Sequence, residues 1–69
     1  MVEVFKTNVE DSMQAELLLA LLHDHLPFAE INFDLEDCDN VLRVKGDEIC
    51  PITVIKIMEA KGFECYVLD

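Results

Sequence analysis

The sequence predicts an α+β fold with the element order β-α-β-β-α-β, and three observations carry that expectation. Residues 30–36 alternate strictly, with Ile31, Phe33 and Leu35 on one side and Asn32, Asp34 and Glu36 on the other. A period of two marks a strand with one buried face. The run Leu17, Leu18, Leu19, Ala20, Leu21, Leu22 has no β-branched residue and high helix propensity, and Pro27 ends it. Lys61 followed by Gly62 is a helix stop, a cation in the last turn and then the glycine that takes the left-handed conformation.

Taken in order, residues 2–7 form a first strand, with Val2 and Val4 facing one way and Glu3 and Phe5 the other. Residues 8–11 are a polar turn. The first helix begins at Asp11 or Ser12. Asp11 with Gln14 fits a capping box, and Glu10 and Asp11 suit the positive helix end. Leu17, Leu18, Leu21 and Leu22 are its expected buried stripe, and His25 or Leu26 its last residue. The strand at residues 30–36 runs into an acidic turn, where Asp39 or Asn40 takes positive φ. Residues 41–45 return as a strand with Leu42 and Val44 inward and Arg43 and Lys45 outward. Gly46, Asp47 and Glu48 turn the chain, and Pro51 opens a second helix with Ile52, Ile55 and Met58 at helical spacing. Residues 63–68 close the chain as a strand, with Phe63, Cys65 and Val67 inward. Two split β-α-β units of this kind make a ferredoxin-like sandwich, a four-stranded antiparallel sheet with two helices on one face.

The 69 residues make one domain spanning residues 1–69. At 52% hydrophobic, the composition supports a packed core and excludes a disordered segment. No apolar run approaches a membrane span, and no signal-peptide core opens the chain, so a cytoplasmic protein with no membrane association is expected. Fifteen acidic residues against five basic ones give a net charge of -10. That field repels phosphate backbones and excludes general nucleic-acid binding, while tolerating basic proteins or cations. The three cysteines, Cys38, Cys50 and Cys65, are odd in number and far apart. Reduced thiols fit them better than a disulfide framework.

Several segments resemble the heavy-metal-associated (HMA) domain family of copper chaperones and metal-transporting ATPases. These are Leu26-Pro27 at the first helix end, the strand Glu30-Ile31-Asn32-Phe33-Asp34-Leu35, and residues 55–58 leading into Ala60-Lys61-Gly62-Phe63-Glu64. The resemblance covers nearly the whole chain and implies the ferredoxin-like fold. It also implies a Cys-x-x-Cys metal pair at the start of the first helix. Counting back from Leu26-Pro27 puts that pair at Ser12 and Ala15, and neither is cysteine. Cu(I) needs soft thiolates, so the metal site is read as vacated and no cofactor is expected. Cys65 points inward as a small core residue. Cys38 and Cys50 lie in loops and are the only candidates for a substitute site. His23 and His25 are two apart on a helix, face different ways, and suit a helix C-terminus better than a metal. Glu36, Asp37, Asp39 and Asn40 lack the distal bidentate glutamate of a calcium loop and read as a solvated turn.

No nucleophile stands beside a base in a known frame, and only two glycines are present, so no phosphate loop exists. Enzymatic activity is not expected. The family's sheet order puts the first strand in the centre. The open sheet face is then expected to carry Phe5 beside Tyr66, with Arg43 and Lys45 on the other side, and to act as a partner surface. Phe5→Ala and Tyr66→Ala are expected to abolish partner binding and leave the fold intact. The expected function is a metal-free interaction module, monomer or weak dimer, with an unidentified protein partner bound through the sheet face or through the former metal loop, Val9 to Ala15. One alternative is a divergent metal-handling protein using Cys38 or Cys50. Another is a small-molecule sensor like the ACT domains, ranked last because residues 8–11 contain no glycine.

Overall fold

The computed structural model describes residues 1–68. Six elements follow one another: β1 (Val2–Thr7), α1 (Ser12–His25), β2 (Glu30–Asp34), β3 (Val41–Lys45), α2 (Pro51–Ala60) and β4 (Cys65–Val67). The four strands form one sheet in the order β2-β3-β1-β4, and every neighbouring pair is antiparallel. This α+β arrangement is compatible with a ferredoxin-like fold. β2 ends earlier than the alternation suggests because residues 35–36 belong to a turn, and β4 starts later because the Phe63 N–H is still bonded to the end of α2.

Opposite partners across the strands share a face. Phe5 stands between Leu42 and Val67, Thr7 pairs with Cys65, and Ile31 pairs with Val44. That face meets the helices. Phe5, Leu42 and Val44 join Leu22, Val54 and Met58 in one core cluster.

Three sequence expectations about facing are corrected here. Phe5 is fully buried and belongs to the core, not to the open face. Val2, Val4 and Lys6 lie together on the opposite side of β1. Burying Val2 and Val4 would drive the Lys6 ammonium into the core, where an unpaired charge is very costly. The observed phase buries one large ring and keeps the lysine wet. On α1, the buried residues are Ala15, Leu18 and Leu22, while Leu17 is 73% exposed. The small Ala15 side chain packs against the sheet side, and Leu17, two positions on, is turned away. On α2, Val54, Ile57 and Met58 are buried, and Ile52 is exposed.

The helix ends follow the sequence closely. Asp11 caps α1, its carboxylate accepting from the Met13 N–H at 2.7 Å. α2 ends in a Schellman arrangement. The Phe63 N–H donates to the Met58 carbonyl (3.1 Å), the Gly62 N–H donates to Glu59 (2.9 Å), and Gly62 takes φ 86°. Asn40 has φ 47°, as expected of the acidic turn, and Glu48 shares that value, which nothing in its residue type foretells.

Candidate functional site

The two positions where the HMA resemblance would put a metal pair, Ser12 and Ala15, sit at the start of α1. Ser12 is exposed in its first turn, and Ala15 is buried, with its methyl in the core cluster. The preceding loop is held from below by Thr7. Its buried hydroxyl donates to the Asn40 carbonyl (2.6 Å) and accepts from the Val9 N–H (3.2 Å). The Thr7 N–H also donates to the Asp39 carbonyl (3.1 Å). This binds the acidic β2–β3 turn to the end of the molecule where α1 begins. Asn8 completes the end, its side-chain oxygen accepting from the Glu64 N–H at 2.8 Å.

The cysteines occupy three different environments. Cys38 is exposed in the β2–β3 turn, and ligand atoms of Asp37, Cys38 and Asp39 lie within 4.8 Å of one another. Cys50 is exposed at the opposite end of β3, as the N-cap residue of α2. Cys38 and Cys50 therefore flank the two ends of one strand, about 14 Å of extended chain. They do not meet within a single chain. The Cys50 thiol is held below its ordinary pKa, first by the Thr53 backbone N–H, then by the Thr53 hydroxyl and the Ile52 N–H. Cys65 is buried on the core face of β4, and burial pushes its thiol up to about 12, with Glu59 adding a repulsive charge. It stays protonated at neutral pH.

His23 and His25 are both exposed in the last turn of α1. The His25 Nδ1 lies 3.0 Å from the Leu21 carbonyl, one turn back on the same helix. Asp34 and Asp37 shape the turn through their carboxylates: Asp34 accepts from the Glu36 N–H and Asp37 from the Asp39 N–H.

The open sheet face brings together three of the four expected surface residues. Tyr66, Arg43 and Lys45 are exposed there, while Phe5 lies on the other side. Lys6 takes the place between them that Phe5 was expected to fill, directly opposite Tyr66. Val4 stands opposite Arg43, and Val2 opposite Lys45. Tyr66 is thus two strands across and two residues along from Arg43, about 12 Å at the usual spacings. The neighbouring Glu64 carboxylate raises the Tyr66 pKa and accepts a long bond from its hydroxyl, 3.4 Å. Lys6 pairs with Asp39 (3.7 Å) and Arg43 with Asp34 (3.6 Å), both exposed and therefore weak. β2 adds Glu30, Asn32 and Asp34, so the face grades from acidic at that edge to basic at its middle.

Lys6 is the residue that the sequence reading passed over. Its position two and four residues after Val4 and Val2 was the available signal. The other surface passed over lies between the helices. Leu17, Leu18, Leu21 and Phe63 line a hollow of about 360 Å³, which continues past Leu21 and Lys61 into a second hollow of about 290 Å³ beside Lys56 and Ile57.

No helix among the described residues is long and apolar enough to cross a membrane. No protein-family model matches the chain, and no curated protein and no solved structure matches it either.

Proposed function

We propose that the chain is a ferredoxin-like domain of HMA-like design that has lost its metal pair and works as a cytoplasmic protein-binding module. It performs no catalysis, and its open sheet face docks an acidic segment of a protein partner. One observation carries this reading: three of the five basic residues, Lys6, Arg43 and Lys45, share that face with Tyr66 and Val4. Aromatic and arginine side chains concentrate binding energy at interfaces. The net charge opposes an acidic partner at a distance, but beyond about 8 Å it is screened at physiological salt, so local charge decides the contact, where the partner's carboxylates replace the weak exposed pairs that Asp39 and Asp34 make with Lys6 and Arg43.

The test is a photo-crosslinker placed at position 66 in cells, in the native sequence and in an Arg43→Glu/Lys45→Glu background. Discrete cross-linked proteins that vanish with the charge reversal are expected. The same cross-links in both backgrounds would remove the basic face from the account.

A second reading, a divergent metal-handling protein, is supported by the closeness of Asp37, Cys38 and Asp39. One thiolate with two carboxylates is a mixed donor set that suits Zn²⁺ better than Cu(I). It ranks lower because all three belong to one exposed turn whose own backbone bonds already account for Asp37.

A further inference from the structure

The groove between α1 and α2 is an apolar feature that the sheet-face reading leaves unexplained. Its α1 wall is made by Leu17, Leu18 and Leu21, and its α2 wall by Ile57 and Ala60. Phe63 closes one end. Leu17 is 73% exposed in this groove, and Met13, one turn earlier on the same helix, is 70% exposed. A Leu-rich helix in a protein this small has every reason to bury its leucines, and the fold leaves Leu17 wet.

The charge of the groove is opposite to that of the molecule. The chain has fifteen acidic and five basic residues, yet no acid lines the groove, and two of the five cations do, Lys56 and Lys61. His25 stands at the far end. Both lysines are on the α2 side, so the groove has an apolar floor and a basic rim.

We propose that this groove is a docking site for an amphipathic helix of a partner protein, with apolar residues at three- and four-residue spacing and carboxylates facing Lys56 and Lys61. Helix-in-groove recognition uses this pattern of anchors. The α1 wall from Gln14 to His25 spans about 17 Å of helix axis, which sets the occupant at about three turns. A second copy of this chain is a poorer occupant, because the same face of a copy would bring lysines and no carboxylate to Lys56 and Lys61. The site lies on the helical side of the sheet and is independent of the sheet face.

The experiment is a titration of the isotope-labelled protein, at physiological salt, with a synthetic helical peptide of about 15 residues, leucine at three- and four-residue spacing with glutamate alongside. Amide shifts confined to Leu17, Leu21, Ile57, Ala60 and Phe63 are expected. Lys56→Glu/Lys61→Glu should weaken the binding about tenfold. Leu17→Ser should weaken it too, and because Leu17 is exposed, thermal unfolding of that variant should be unchanged. Absence of groove shifts at millimolar peptide, shifts on Tyr66 and Arg43 instead, or affinity indifferent to the double reversal would overturn the proposal. So would a concentration-dependent dimer in sedimentation that Leu17→Ser abolishes, since a second copy would then fill the groove.

Discussion

Phe5 and Tyr66 have opposite fates in the sheet. Phe5 has no solvent exposure and stands between Leu42 and Val67, while Tyr66 is 55% exposed. Truncating a fully buried phenylalanine costs about 3–5 kcal/mol, in a domain whose whole stability is about 3–10 kcal/mol at this length. Phe5→Ala should therefore leave a protein that is largely unfolded or melts far below the native one. Tyr66→Ala should shift the urea midpoint by the equivalent of about 1 kcal/mol or less. A Phe5→Ala variant with native stability would mean that the phase of β1 is wrong. The facing of β2 and β3 was legible because each offers one apolar side and one polar side. β1 offers Val2 and Val4 against Phe5, and a reading limited to residues 2–5 finds no winner. The deciding residue is Lys6, whose ammonium cannot share a core face with the valines.

The six elements were legible in order, and the two helices nearly to the residue, because helix ends are written in capping chemistry, while β2 and β4 came out shorter than their alternation suggested. Asp11 supplies the acceptor for the start of α1, and Pro51 and Gly62 bracket α2. Gly62 has φ 86°, and a Cβ built there meets nothing within 4 Å. The cost of Gly62→Ala is therefore backbone strain alone, about 1–2 kcal/mol. Denaturant unfolding should show that loss. An unchanged midpoint would mean that α2 does not end in a left-handed residue. The rotation of the helices was less legible. A run of leucines is apolar on every side, so its period does not say which residues face the sheet. Packing decides it, through the small Ala15 one turn before Leu19 and the stripe that Leu18 and Leu22 continue. The stretch of α2 rich in Ile and Val has the same ambiguity, and it leaves Ile52 outside.

At the scale of the whole molecule, charge and cysteine placement separate the two functional readings. Three of the five cations gather on the sheet face and two beside the helical groove, so the acidic residues dominate everywhere else. The outward place of Arg43 and Lys45 was visible along the chain, while the addition of Lys6 to that face and of Lys56 and Lys61 to the groove depends on which elements become neighbours. The scattering of the thiols was half visible. The lack of a Cys-x-x-Cys pair could be read directly, and the inward position of Cys65 followed from alternation. That Cys38 and Cys50 stand at opposite ends of β3 needed the fold. A soft-metal site built from two thiolates of one chain is then out of reach for that pair, and Cys65 is buried with its thiol pushed up to about 12. The central claim is that this is a binding module and not a metal carrier. Its most direct test is titration of the reduced protein with Cu(I) and with Zn²⁺, read by amide spectra in the presence of a competing chelator. No stoichiometric complex and no shifts around Ser12, Ala15 or the turn bearing Cys38 are expected. A tight one-to-one complex with shifts centred on Asp37, Cys38 and Asp39 would contradict it and make the chain a metal-handling protein.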